Sequence, residues 1–304
     1  MPILAAGLSY IDLNFLGRRH AIATAIASGP DGVAVIDPGP TTCLAQLESG
    51  LQEHGLRLAD VRDILLTHIH LDHAGATGTL LQQFPDIRVT VHRRGAPHLV
   101  APQRLLDSAR RLWGDDMDRL WGAVVPVPEH NLHIVEDETE VRAGGRTFEV
   151  VYTPGHASHH ISFFDAASGV ALVGDVAGVS IGGGYVLPPT PPPDIDLDLW
   201  RGSVDRIERW SPASLFITHF GQVMNVRPHL AQLLENLTTM AGLVRASLAE
   251  DGSDEERSGR FGEKLRVELR RSMSDAQVSA YEGGTPFHLM WLGLARYWRK
   301  RSNA

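Results

Sequence analysis

The sequence predicts an α/β fold in which two sheets pack face to face with helices outside. Three observations carry that expectation. Runs of strand followed by helix occur twice over along the chain. Four separate strand ends carry side chains of the metal-binding type, and strand ends on one edge of a sheet lie close in space. With 304 residues, 43% of them hydrophobic, the chain can bury a sizeable core in one large domain or two small ones.

The segments 2–10 and 20–27 are apolar and small, as strands are, and Gly29-Pro30-Asp31-Gly32 reads as a hairpin turn. Val33 to Ile36 is the next strand, ending at Asp37-Pro38-Gly39. Helix follows over Thr42 to Gly50, with a weaker continuation over Leu51 to Leu56. Val61 to Leu66 is a strand, Thr77 to Phe84 a helix, and Ile87 to His92 a strand rich in β-branched residues. Residues 96–122 read as helical, with Trp113, Met117 and Trp121 at a spacing of four. That stripe faces a core or, if the segment covers a site, lines a pocket.

Val124 to Val135 looks extended, with Pro126 and Pro128 keeping its start off a central strand. Thr139 to Arg142 and Thr147 to Tyr152 pair around Gly144-Gly145. Ile161 to Phe164 and Val170 to Val173 make a further strand pair. The stretch 180–196 holds Gly182, Gly183, Gly184, Pro188, Pro189, Pro191, Pro192 and Pro193, and is irregular and partly rigid. Leu197 to Trp210 is helical and Ser214 to Ile217 a short buried strand. From Pro228 to Arg301 the chain reads as helix, broken at the acidic stretch Glu250 to Glu256 and at Glu282-Gly283-Gly284. Phe287 to Trp298 is amphipathic and packs against the main domain or against a second copy of the chain, a homodimer.

The 28 basic and 36 acidic residues leave a net charge of −8, which gives no sign of a nucleic-acid partner. One cysteine, Cys43, excludes an internal disulfide and fits a reducing cytoplasm. No signal peptide and no apolar run of membrane-spanning length is seen, so no membrane partner is expected.

The chemistry concentrates in Thr67-His68-Ile69-His70-Leu71-Asp72-His73-Ala74-Gly75, which packs four metal-type side chains into six positions. Alternate positions of a regular strand point apart, so these groups converge only in a turn. Asp72 alone could be a helix cap, but three His beside it suit Zn, Fe or Mn. His156, Asp175 and His219 close three more strand ends. Seven such groups divide between two ions.

His68-x-His70-x-Asp72-His73, Thr153-Pro154-Gly155-His156, Gly174-Asp175 and Thr218-His219 together resemble the metallo-β-lactamase fold superfamily over residues 20 to 225. The resemblance implies an αββα sandwich, here a catalytic domain over 1–225, with added C-terminal helices over 226–304 packed on the same domain. It implies that His68, His70 and His156 hold a first ion, that Asp72, His73 and His219 hold a second, and that Asp175 bridges them. Asp37 looks like the aspartate that orients a ligand His, its other reading being a turn residue. His160 matches a second His of thioesterase-like members, whereas His159 replaces their glycine and reads as solvent-facing or structural.

The function so implied is dinuclear hydrolysis of a small-molecule ester, thioester or lactone, with two divalent ions, Zn by preference and Fe or Mn as alternatives, sharing a hydroxide. Asp72 is the candidate catalytic residue, orienting the hydroxide or taking its proton. No serine elbow is present, and Cys43 lies far from the motifs. Asp175 and His73 favour the glyoxalase II-like and lactonase-like branch over β-lactamases that use a cysteine in the second site. Tyr185 could donate to a substrate carbonyl or pack as a loop aromatic. Three alternatives stand beside this: a mononuclear iron enzyme like the persulfide dioxygenases, β-lactamase or phosphodiesterase activity at the same site, and a metal-dependent binding protein without turnover.

Overall fold

A computed structural model describes residues 2–182 and 184–302; Met1, Gly183, Asn303 and Ala304 lie outside the described residues. The first sheet has seven strands in chain order: β1 (Ile3–Ala5), β2 (Leu8–Asp12), β3 (Ala23–Gly29), β4 (Gly32–Ile36), β5 (Val61–Leu65), β6 (Arg88–His92) and β7 (Leu132–Val135). The second comprises β8 (Thr139–Ala143), β9 (Arg146–Tyr152), β10 (Ile161–Asp165), β11 (Val170–Leu172), β12 (Ser214–Ile217) and β13 (Gly221–Val223), ordered in space β13-β12-β11-β10-β9-β8.

Each central strand is apolar on both faces, and the period of two divides its side chains between two cores. Val33 and Val35 of β4 face helices, while Ala34 and Ile36 face the other sheet. In β12, Phe216 points between the sheets and Leu215 and Ile217 point away. Phe148, Phe163 and Phe216 fill the space between the sheets, each burial stabilising by about 1.5–3 kcal/mol.

Helices α1 (Leu44–Gln52), α2 (Leu71–Ala74), α3 (Thr77–Gln83), α4 (Ala96–Val100), α5 (Gln103–Trp113) and α6 (Met117–Trp121) lie along the segment that builds the first sheet. Leu47, Leu80, Leu99 and Trp121 from this set share one core with Val35 and Ile64. The second sheet is covered by α7 (Leu197–Arg209), α8 (Val226–Ser247), α9 (Asp254–Leu269), α10 (Asp275–Gly284) and α11 (Phe287–Ser302). Trp200, Leu237, Phe261, Tyr281 and Trp291 share one core with Leu215 and Ile217. The layers therefore run helix, sheet, sheet, helix. Among the described residues no helix is long and apolar enough to cross a membrane.

Several local expectations need correction. The helical reading of 96–122 breaks at Pro102 and at Gly114, which ends α5 with φ +52°, so Trp113, Met117 and Trp121 are not one stripe of one helix. Val124 to Asn131 forms no strand; only Leu132–Val135 pairs. The acidic stretch is only half loop, because Ser253 caps α9 and Asp254, Glu255 and Glu256 fill its first turn, where negative charge suits the helix dipole. Glu282-Gly283-Gly284 stays helical, and the break falls at Thr285-Pro286 instead.

Chain direction gathers the site. β4 and β5 run parallel, as do β11 and β12, so Asp37, Thr67, Gly174 and Thr218 follow strand ends on one edge. Ile161 pairs with Tyr152, so the β9–β10 connection, residues 153–160, sits on that edge too. Backbone bonds cross between the sheets there: Ile161 N–H donates to Thr67 O at 2.8 Å, and Ala23 N–H to Thr218 O at 2.8 Å.

Candidate metal centre

All seven residues expected at the centre come together. Their ligand atoms fall into three overlapping sets, each within 4.8 Å: His68, His70 and His156; His68, His73 and Asp175; Asp72, His73 and His219. His70 Nδ1 lies 3.0 Å from both His68 Nε2 and His156 Nε2. Asp175 stands between the outer two sets. Its Oδ2 is 3.4 Å from His156 Nε2, and its Oδ1 is 3.2 Å from His73 Nε2 and 3.5 Å from His219 Nε2. Asp72 Oδ2 lies 3.4 Å from His219 Nε2 and 3.8 Å from His73 Nε2.

Four of the imidazoles are aimed by a partner on the outward nitrogen. His73 Nδ1 is 2.9 Å from Asp37 Oδ2, and His68 Nδ1 is 3.1 Å from Thr67 Oγ1. His156 Nδ1 meets Pro189 O at 2.8 Å, and His219 Nδ1 meets Ala21 O at 2.6 Å. Such contacts fix the ring and leave the inward nitrogen's lone pair to the centre.

Asp37 is more than a turn residue. Its carboxylate accepts from Thr67 N–H at 2.8 Å, Thr67 Oγ1 at 2.7 Å and Thr218 Oγ1 at 3.3 Å as well as holding His73, and φ +55° points it into this nest. Asp37→Asn keeps the shape but presents an amide N–H₂ to a group that already donates. The expected result is a 10–100-fold loss of metal affinity, read by competition with a chromophoric chelator. Native-like affinity in that variant would reduce Asp37 to a turn residue.

Two glycines give the centre room. A Cβ on Gly174, at φ +48°, would stand 2.6 Å from Thr67 Oγ1 and 2.9 Å from His160 Nε2. One on Gly155 would collide with the backbone of Trp200.

The charge balance is uneven. Burial, then the positive fields of His73 and His70, holds His68 well below the usual imidazole range, and burial takes His70 to about 4. Burial also lowers His73 and His219, but nearby carboxylates, Asp175 first, outweigh it and raise both. Burial would raise Asp72 and Asp175. His73 and His219 more than offset it, taking Asp72 to about 2 and Asp175 well below the carboxylate range.

Other expectations resolve differently. His159 is not solvent-facing: it is buried, and it lines the cavity beside the centre with Nδ1 unpartnered among the described residues. His160 is buried with Nδ1 2.9 Å from Thr153 Oγ1. Tyr185 packs against Tyr281, ring centroids 6.5 Å apart, and is not among the cavity's lining residues. Cys43 is buried in the core of the first sheet, and burial pushes its thiol to about 12, so it offers no nucleophile. Trp113 and Trp121 combine both readings, since each packs on that core and lines the cavity.

That cavity, about 390 Å³, opens over His70, Asp72, His156, Asp175 and His219. Its walls come from α5, the proline-rich loop and the start of α11, with Leu105, Leu112, Leu289 and Met290 among the apolar lining. The carbonyls of Ala21 and Pro189 had no signature in the sequence, because any residue carries one.

The model of the metallo-beta-lactamase superfamily matches residues 17–219. A metallo-beta-lactamase fold-containing protein of Sulfurisphaera tokodaii is 32% identical over 176 residues, which cover 56% of this chain and 66% of that protein. A hydroxyacylglutathione hydrolase of Chromohalobacter salexigens is 29% identical over 146 residues, 48% of this chain and 42% of that enzyme. The chain thus spans less than two thirds of either relative's length. The crystal structure of a metallo-beta-lactamase family protein from Thermus thermophilus shares the fold with a TM-score of 0.73 at 23% identity, covering 98% of this chain and 95% of that one.

Proposed function

The chain belongs to the metallo-beta-lactamase superfamily, and from that premise we propose that it is a hydrolase with two divalent ions, acting on a small ester, thioester or lactone. One observation carries the reading: two groups of inward-facing nitrogens flank a single carboxylate, Asp175, whose two oxygens face one group each. The donor set fits cations. His73 Nε2 and Asp175 Oδ1 are both buried and face each other at 3.2 Å without the alignment of a good hydrogen bond, so a cation between them would satisfy polar atoms that are otherwise poorly paired. Imidazole with carboxylate suits Zn, Fe or Mn.

His68, His70 and His156 would hold one ion, Asp72, His73 and His219 the other, with Asp175 between. Bound there, such ions polarise a carbonyl and bring a water's acidity near neutrality. The chain's own groups do the rest. Asp72 is partly exposed to the cavity and ionised far below neutral pH, so it is a weak base. It serves better to accept a hydrogen bond and orient the attacking water, through the oxygen that does not face His219, than to keep the proton. The apolar wall of Leu105, Leu112 and Met290 limits water around the acyl group.

The relative named a hydroxyacylglutathione hydrolase supports the thioester part of the reading. Metal quantification on the purified protein, coupled to a screen of thioesters, lactones, β-lactams and phosphodiesters, tests it. Two ions per chain with thioester or lactone turnover is expected; one iron per chain with oxygen uptake would replace hydrolysis by an oxidoreductase reaction. Chelation should abolish turnover and lower stability by about 2.7 kcal/mol per site at free metal a hundredfold above Kd, seen as a fall in Tm. An unchanged Tm and rate after verified metal removal would end the reading.

A further inference from the structure

Three arginines line the cavity over the candidate centre: Arg94 in the turn after β6, and Arg104 and Arg111 about two turns apart on α5. All three are exposed. Neighbouring arginines are paired, Arg93 with Glu136, Arg110 with Asp107 and Arg119 with Asp116. No ion pair among the described residues engages Arg94, Arg104 or Arg111. Arg94 lies over the Tyr152 ring, 5.7 Å from its centroid, which leaves its guanidinium edge for another partner. Outside the centre itself the lining holds one carboxylate, Asp194, and its Oδ2 accepts from Ser158 Oγ at 2.5 Å.

A lone unpaired arginine on a helix is ordinary. Three on the wall of one cavity, in a chain of net charge −8, with leucines and tryptophans between them, form a selective surface. A guanidinium fork matches carboxylate and phosphate alike. Building on the hydrolase reading, we propose that the substrate is an acyl compound carrying a second, non-reacting anionic group, carboxylate or phosphate. Arg94, Arg104 and Arg111 receive that group while the acyl carbon faces Asp72 and the histidines.

Three thioesters test the assignment on the purified protein: acetyl-N-acetylcysteamine (neutral), glutaryl-N-acetylcysteamine (a remote carboxylate) and acetyl-coenzyme A (remote phosphates). At low ionic strength at least one charged substrate should exceed the neutral one about tenfold in kcat/KM, chiefly through KM, because exposed pairs are individually weak and act as a set. The advantage should shrink with added salt. Arg104→Gln/Arg111→Gln should remove most of it, whereas Arg93→Gln, off the cavity, should not. Which charged substrate gains separates carboxylate from phosphate. Equal kcat/KM for all three, or an advantage that survives the double substitution, overturns the proposal.

Absence of turnover on all three thioesters would defeat the thioester part of the hydrolase reading alone. Calorimetric titration with glutaramate, methyl phosphate and neutral glutaramide then decides: binding of either anion that is lost in the double variant sustains the anion surface, and no such binding ends it.

Discussion

Asp175→Ala is expected to lower kcat/KM on the order of a thousandfold, beyond the 10–100-fold typical of groups that only orient a ligand. The side chain faces His156 with one oxygen and His73 and His219 with the other. Among the described residues no other stands between the two groups in this way, so its loss affects both at once. Folding should survive. Asp175 sits in a short turn of helix, Gly174–Ala177, whose apolar members Val176 and Ala177 make the core contacts. The check is threefold: metal per chain should drop, kcat/KM should fall by that factor, and the circular dichroism and cooperative unfolding should remain. A variant that keeps its metal and stays within tenfold of native turnover would remove Asp175 from the mechanism.

Trp200→Ala should be the most damaging single change to stability, about 3–5 kcal/mol, read as a fall in denaturation midpoint at constant m-value. Trp200 is fully buried, and its indole N–H donates to Val176 O at 2.7 Å. The change therefore opens a cavity and orphans a buried carbonyl. The position is also close to the chemistry. The Trp200 ring stands edge-on to His156 with centroids 5.8 Å apart, and its backbone lies against Gly155. Turnover should fall with stability, and Trp200→Phe should recover part of both. A loss below about 1 kcal/mol would show that the surrounding helices collapse into the space.

The centre was legible because its chemistry resides in side chains whose identity the sequence states. His68, His70, Asp72 and His73 crowd one turn, and His156, Asp175 and His219 each follow an apolar strand. Apolar runs bounded by turn residues likewise revealed most strands of both sheets, whereas β13 was not read and the single segment 2–10 divides into β1 and β2. What stayed hidden depends on backbone or on long-range packing. Ala21 and Pro189 aim two imidazoles through carbonyls that every residue possesses. His159 reads in the sequence as solvent-facing or structural, and only the packing of the 153–160 loop decides that it turns inward to the cavity. The helix over Gly283-Gly284 persists although glycine disfavours it by about 1 kcal/mol per residue, because Val278 and Tyr281 anchor α10 in the core. Ser253 moved a helix start four residues into an acidic run that charge alone reads as loop.

The carbonyl that aims His156 belongs to a loop with no regular structure of its own. Thr190 Oγ1 donates to Met290 O at 3.1 Å, and Gly293 comes so close that a Cβ there would collide with Thr190 O. The aim of His156 is thus tied to α11, more than a hundred residues downstream in the chain. A bulkier residue at Gly293 would push on the loop and tilt an imidazole that it never touches. Adaptation to new substrates can accordingly begin at the far end of the polypeptide, with every histidine and aspartate of the centre left as it is.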